Sequence, residues 1–121
     1  MKKVLYLIFI LVIASGCSKK ENLIGSWTLI NLVNEKSESI TPDYICTLTI
    51  LPNGEFAESL DKENSTVPPT IVRGKWEYKD NVLVLNIESP YEGVMNDTII
   101  KVNRNKLVLR SQNVEVTYKR E

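Results

Sequence analysis

The chain has 121 residues, of which 15 are basic, 15 are acidic and none is histidine, so its formal net charge is zero. This length favours one small domain, and the balanced charge gives no basic excess for binding nucleic acid. Because histidine is the usual general base and transition-metal ligand, its absence argues against most hydrolases and metalloenzymes. We therefore expect a protein that is not an enzyme and that uses no cofactor or metal.

Residues 1–16 have the layout of a cleaved signal peptide. Lys2 and Lys3 form a positive n-region, and residues 4–13 are an apolar run. This run is too short to span a membrane, which takes about 20 apolar residues. The small residues 14–16 precede Cys17, and a polar segment follows it. The ending Ala-Ser-Gly-Cys resembles the lipobox of bacterial lipoproteins, which implies cleavage before Cys17 and lipid attached to its thiol and new amine.

The lipoprotein resemblance implies how the rest of the chain is organised. Residues 17–24 would be a lipidated tether, and residues 25–121 would form the domain. Two or more acyl chains anchor a protein stably, at about 0.8 kcal/mol per buried methylene. We expect a location in the bacterial cell envelope, anchored to a membrane, with the outer membrane facing the periplasm favoured. Which membrane and leaflet hold the anchor stays open, as does the alternative of a plain secreted protein.

Alternating apolar and polar residues predict β-strands throughout the mature chain. In residues 71–78, Val72, Trp76 and Tyr78 fall on one face and charged residues on the other. Turn-forming sequences such as Asn-Gly separate the alternating runs. Eight successive strands favour an all-β fold, an antiparallel up-and-down barrel that is closed or nearly closed to hide its edges. The predicted strands are 26–33, 44–51, 55–60, 71–78, 82–87, 98–102, 106–109 and 114–119.

The predicted connections alternate in length, with about ten residues in each of 34–43, 61–70 and 88–97 and about three in those between. In an up-and-down barrel alternate connections emerge at the same end, so the long ones should gather at one rim. We take this rim as the mouth, because binding usually sits on loops held by a rigid scaffold. Its inner wall would suit a small hydrophobic or amphipathic ligand. The candidate lining residues are Tyr44, Leu60, Val72, Ile87, Ile100 and Val114, overlooked by Tyr91 and Met95.

Two Gly-x-Trp motifs occur, the first at Gly25-Ser26-Trp27 and the second at Gly74-Lys75-Trp76. Together with the lipobox, this ordered set is similar to the short lipocalin-like lipoproteins of Bacteroidetes-type bacteria over most of the mature chain. The resemblance implies that Trp27 plugs the closed end of the barrel. It also implies that a basic residue at the end of the last strand, here Arg120, covers Trp27 by stacking and hydrogen bonding.

Two other features favour structural roles. Cys46 lies on the apolar face of a predicted strand and has no histidine to generate a thiolate, so we expect a small buried hydrophobe. The acidic segment 61–64 lacks the ligand spacing of a calcium loop, and we interpret it as solvated charge. Neither feature predicts a catalytic or metal site.

Two functions remain open from the sequence. The first is a non-enzymatic envelope lipoprotein that binds a small apolar ligand in its barrel. The alternative is a packed barrel that serves as a protein-interaction or accessory module of an envelope complex, since an eight-stranded barrel can be filled by its own side chains. The tether from Cys17 to Gly25 would reach at most about 28 Å. It enters at the tight-turn end, so the mouth should point away from the bilayer.

Overall fold

The structure is a computed structural model that describes residues 19–62 and 66–121. The expected signal peptide and Cys17 lie outside the described residues. Residues 19–23 are helical, and nine β-strands follow in the described part of the chain. They are β1 (Gly25–Val33), β2 (Ser39–Ile40), β3 (Tyr44–Ile50), β4 (Glu55–Lys62), β5 (Thr70–Lys79), β6 (Val82–Ser89), β7 (Gly93–Val102), β8 (Lys106–Ser111) and β9 (Val114–Arg120). Of the described residues, none forms a helix with the length and apolar character needed to cross a bilayer.

The eight long strands close into one antiparallel barrel. From β3 to β9 each strand pairs with the next, and β1 pairs with both β3 and β9. The closing register runs from Trp27 opposite Arg120 to Val33 opposite Glu115. The two-residue strand β2 pairs with the end of β1 beyond the part that β3 covers. The expected eight-stranded up-and-down barrel is therefore confirmed, and closure removes the exposed edges that would invite aggregation.

The barrel interior is an apolar core built by alternate residues of each strand. Strand β6 contributes Leu83, Leu85 and Ile87, and β8 contributes Leu107 and Leu109, all of them buried. Because successive side chains of a strand point to opposite faces, this period of two turns one apolar face inward and leaves the charged face in solvent. Full burial of such a side chain contributes about 1.5–3 kcal/mol.

The prediction of a third long loop over residues 88–97 is wrong. Strand β6 continues to Ser89 and β7 begins at Gly93, so only residues 90–92 connect them. Strand pairing overrides the polar local sequence here, since Leu85 lies opposite Met95 and Val84 opposite Asn96. The other two long connections, between β1 and β3 and between β4 and β5, lie at the same rim. This rim, where β4, β6 and β8 end, is called the mouth below.

The prediction that Ile100 lines the interior is also wrong. Its side chain is 44% exposed, whereas that of Ile99 is buried in the core. The pairing of β7 with β8 shifts register between Ile99 and Lys101. A bulge of this kind inserts one extra residue and breaks the alternation that the prediction assumed.

Candidate functional site

The closed end of the barrel is built around Trp27, whose side chain is completely buried. Its indole Nε1 donates a hydrogen bond to the carbonyl oxygen of Leu23 at 2.9 Å. The guanidinium carbon of Arg120 lies 4.1 Å from the centroid of the Trp27 ring. A cation at this distance is attracted to the negative face of the ring.

Arg120 also ties the N-terminal segment to the end of β9. Its Nη2 donates to the carbonyl of Asn22 at 2.6 Å and its Nη1 to that of Ile24 at 2.8 Å. Its Nε donates to the carbonyl of Arg104 in the turn between β7 and β8. The planar fork of a guanidinium directs its donors toward these three carbonyls while its face lies on the Trp27 ring, and the compact ammonium of a lysine does not match this planar arrangement.

The glycine of the first Gly-x-Trp motif is required for steric reasons. Gly25 has a φ of +140°, and a Cβ placed there would lie 2.3 Å from Nη1 of Arg120. A side chain at position 25 would therefore displace the guanidinium from Trp27 and from the carbonyl of Ile24. Gly25 provides the space, and Trp27 provides the surface, on which Arg120 packs.

The second motif fixes the approach of two strands. A Cβ at Gly74 would lie 1.9 Å from the backbone oxygen of Asn86 on β6. Two residues later, Trp76 is buried, and its Nε1 donates to the carbonyl of Leu51 at 2.7 Å. Both Gly-x-Trp motifs thus join a close backbone or side-chain approach to a buried indole with its donor satisfied.

At the mouth, the structure brings two of the predicted lining residues together. Tyr44 and Leu60 line a depression of about 320 Å³ with Asp61 and Lys62. Strands β3 and β4 position them, because Tyr44 lies opposite Lys62, and Cys46 opposite Leu60. Tyr44 and Leu60 also pack against the buried core.

The other predicted lining residues divide into interior and exposed positions. Val72 and Ile87 are buried in the core, and Val114 is half-buried at the start of β9. Tyr91 is 58% exposed in the connection between β6 and β7, and Met95 is 40% exposed near the start of β7. The interior wall therefore includes Val72 and Ile87, whereas Tyr91 and Met95 do not form a covering loop.

Two carboxyl groups inside the barrel were missed by the sequence analysis. Glu58 lies between Phe56 and Leu60 on the inward face of β4, and Asp97 lies two residues before Ile99 on the inward face of β7. Asp97 is only 5% exposed, and its Oδ1 has no hydrogen-bond partner among the described residues. We call Glu58 and Asp97 the interior carboxyl pair.

The interior carboxyl pair interacts across the barrel, since β4 and β7 are not neighbours in the sheet. Burial raises the pKa of Asp97, and a hydrogen bond from Ser111 partly offsets this. Burial and, after it, the charge of Asp97 raise the pKa of Glu58, while a hydrogen bond with Cys46 acts in the opposite direction. The charge of an ionised Asp97 therefore opposes ionisation of Glu58.

Three further acidic side chains belong to the same interior region. Burial, followed by the charge of Glu58, raises the pKa of the Cys46 thiol to about 12, so the thiol stays protonated. Burial also raises the pKa of Tyr118 and of Tyr44, and Glu58 adds to both shifts. The expected burial of Cys46 is observed, but its surroundings are polar on one side.

An alternation signal could have identified the interior carboxyl pair. The sequence Phe-x-Glu-x-Leu in β4 places Glu58 on an apolar face, and Asp-x-Ile in β7 does the same for Asp97. The predicted loop 88–97 includes Asp97, and a carboxylate in a loop needs no special explanation. The described residues contain no cluster of three or more cysteine, aspartate, glutamate or histidine side chains that could hold a metal ion.

Comparison with known proteins agrees with this architecture. Residues 23–109 match the family model of the lipocalin-like domain. The chain belongs to this lipocalin-like domain family. No curated protein matches its sequence.

Two solved structures from Bacteroides share the fold. The chain resembles a lipocalin-like protein from Bacteroides uniformis with a TM-score of 0.72 at 13% identity, over 83% of this chain and 99% of that one. It also resembles an uncharacterized protein from Bacteroides eggerthii with a TM-score of 0.67 at 10% identity, over 81% of this chain and 98% of that one. At these identities the likeness concerns the fold alone.

Proposed function

We propose that the protein is a non-enzymatic lipoprotein of the cell envelope that binds a small hydrophobic or amphipathic molecule inside its barrel. The observation that carries this proposal is the depression at the mouth that Tyr44 and Leu60 line, since Leu60 follows the half-buried Glu58 by two residues on the inward face of β4. Small-molecule sites typically combine an apolar wall with a few placed polar groups. Membership of the lipocalin-like family supports the same function.

A non-catalytic role agrees with the chemistry of the interior. The buried thiol of Cys46 has a pKa of about 12, so it is not an activated nucleophile. The whole chain has no histidine that could act as its base. The interior groups can bind and orient a ligand, and the thiol that hydrogen-bonds to Glu58 stays protonated.

The lipid anchor is proposed on Cys17, and the packing of the following residues supports a defined orientation. Leu23 is completely buried and its carbonyl accepts the hydrogen bond from Trp27, and Lys19 Nζ donates to Oδ1 of Asn81 at 3.0 Å in the turn between β5 and β6. Residues 19–24 therefore cover the closed end instead of forming a free tether. Lys19 follows Cys17 by two positions, a span of at most about 7 Å. Lipid on Cys17 would hold the closed end beside the bilayer and direct the mouth away from it.

Native mass spectrometry of the protein purified from cells that produce it tests ligand binding. We expect a small molecule of constant mass to accompany the folded protein and to be lost on unfolding. Repeated isolation without such a molecule would contradict ligand binding and favour the packed interaction module. That second function has one supporting observation, the exposure of Tyr91 and Val94 on the connection at the mouth and the start of β7.

Replacement of Cys17 tests the anchor separately. Cys17→Ser should abolish incorporation of labelled palmitate and release the protein from the membrane fraction. Cys46→Ala is the matched control and should leave both unchanged, because Cys46 is buried in the barrel. Membrane association of Cys17→Ser at the level of the unmodified protein would show that lipidation at this residue is not the anchor.

A further inference from the structure

We propose that the interior carboxyl pair selects the head group of the ligand, which is then an amphipathic molecule that carries a protonated amine. This inference rests on the proposed ligand-binding function and adds a chemical class to it. The ammonium group would lie between Glu58 and Asp97, and its apolar part would extend toward Leu60 and Tyr44 at the mouth.

The first observation is the unsatisfied oxygen of Asp97. Its Oδ1 is buried without a hydrogen-bond partner in the described part of the barrel. Buried polar atoms are normally paired, and a buried charge without a partner is expensive. An ammonium group has three donors and one positive charge, so it can satisfy Oδ1 of Asp97 and a carboxyl oxygen of Glu58 together.

The second observation is the sign of the charges inside the barrel. Cys46 and Ser111 affect the pKa values of the pair through hydrogen bonds. Glu58 in turn affects the pKa values of Tyr44 and Tyr118. All of these groups are neutral or acidic. Within residues 19–62 and 66–121, no lysine or arginine acts on the pKa of either carboxyl. The interior therefore favours a cation and disfavours a carboxylate such as that of a fatty acid.

Positive side chains lie at both ends of the barrel, away from the interior carboxyl pair. Arg120 is engaged with Trp27 and three backbone carbonyls at the closed end. Lys62 is exposed at the mouth, where it lines the depression. The interior carboxyl pair lies between these ends and is left for a ligand.

A metal ion fits this site less well than an organic ammonium. Metal ions in proteins usually need four or more ligands, and the described residues offer no group of three acidic or cysteine side chains that could hold one. An ammonium group needs only two or three acceptors. Two apolar residues beside Glu58 also suit the hydrocarbon part of an organic ligand. They are Leu60, two residues further along β4, and Val72, which lies opposite Glu58 on β5.

Equilibrium dialysis with three probes of the same length tests the head-group preference. The mature protein in nanodiscs is dialysed against octylammonium, octanol or octanoate, with empty nanodiscs as the blank. We expect octylammonium to bind about tenfold more tightly than octanol, the range for a hydrogen bond to a buried charged group, and octanoate to bind most weakly.

Amide variants connect the preference to the carboxyl pair. Asp97→Asn and Glu58→Gln should each weaken octylammonium binding about tenfold and leave octanol binding within about twofold. Glu77→Gln, an exposed change on the outer face of β5, is the control and should alter neither. Circular dichroism establishes that each variant is folded.

The outcomes separate this inference from the proposed function. Equal binding of the three probes, preference for octanoate, or octylammonium binding that is unchanged in both amide variants would overturn the head-group assignment while leaving apolar ligand binding in place. Absence of binding by all three probes to the folded protein would overturn both.

Discussion

Asp97 and Glu58 place ionisable groups inside a barrel whose other inward side chains are largely hydrocarbon. Burial raises the pKa of both carboxyls above their ordinary values of 3.8 for Asp97 and 4.5 for Glu58. As the pH rises above these values, the unfolded chain loses the two protons before the folded barrel does. The free energy of unfolding therefore falls until the pH passes the raised folded-state values.

Asp97→Asn should remove this pH-dependent loss at one site. We expect the variant to gain stability relative to the unmodified protein as the pH rises, reaching about 1–3 kcal/mol at neutral pH and above. Urea unfolding of both proteins between about pH 4 and pH 8 measures the difference. Glu77→Gln serves as the exposed control. If the stability difference between Asp97→Asn and the unmodified protein did not change with pH, burial would not be raising the pKa of Asp97.

Arg120 holds the closed end of the barrel together through its contacts with Trp27 and with backbone carbonyls. Arg120→Met removes the contact with Trp27 and leaves the carbonyls of Asn22 and Ile24 without their donor, so we expect a loss of about 2–4 kcal/mol. Lys119→Met, an exposed change one residue earlier, should cost less than about 0.5 kcal/mol. Arg120→Lys should restore little, because the compact ammonium group of lysine does not match the planar arrangement of the carbonyls and the ring. Full rescue by lysine in urea unfolding would contradict this account.

At the scale of elements, strong alternation made most strands predictable. The fourth predicted strand, 71–78, corresponds to Thr70–Lys79, and the last, 114–119, corresponds to Val114–Arg120. The first half of β7 was missed because its exposed and polar residues carry no apolar period. Those residues are extended because the preceding strand β6 hydrogen-bonds to them, and this pairing leaves no periodic pattern in their own sequence.

The candidate site was predictable to a similar extent and for similar reasons. Tyr44, Leu60, Val72 and Ile87 follow the alternation of regular strands, so their inward faces could be derived. Ile100 follows a bulge, which shifts the alternation by one residue. The interior carboxyl pair was overlooked because a carboxyl group on an apolar face contradicts the usual pattern, and such contradictions are expected at functional sites.

Gly74 gives a test of strand packing in the same element. Gly74→Ala would bring a Cβ within 1.9 Å of the backbone oxygen of Asn86, and a backbone atom cannot move aside as a flexible side chain can. We expect a loss of more than about 3 kcal/mol in urea unfolding, or failure to fold. Gly93→Ala is the matched control, because the nearest atom to its Cβ would be a Tyr91 ring carbon at 3.9 Å. Equal stability of the two variants would contradict the close approach of β5 and β6.

At the scale of the whole molecule, the barrel has a closed end covered by residues 19–24 and a mouth at the opposite rim. If Cys17 carries the lipid, the closed end lies against the membrane. Single cysteines introduced into a Cys46→Ala background test this orientation. We expect Asn53→Cys, in a turn at the closed end, to be protected from a membrane-impermeant maleimide, and Glu92→Cys, at the mouth, to react freely. The reverse pattern would show that the mouth faces the bilayer.

The central claim is that the interior of the barrel, and not its outer surface, binds an amphipathic molecule. Methyl NMR of the mature protein during titration with octylammonium tests this claim most directly. We predict saturable shifts for the methyl groups of Leu60, Val72 and Ile87, which point into the barrel, and no shift for Ile45 and Ile71, which are exposed on its outside. Shifts confined to the outer methyl groups, or no shift at any of them, would contradict the account.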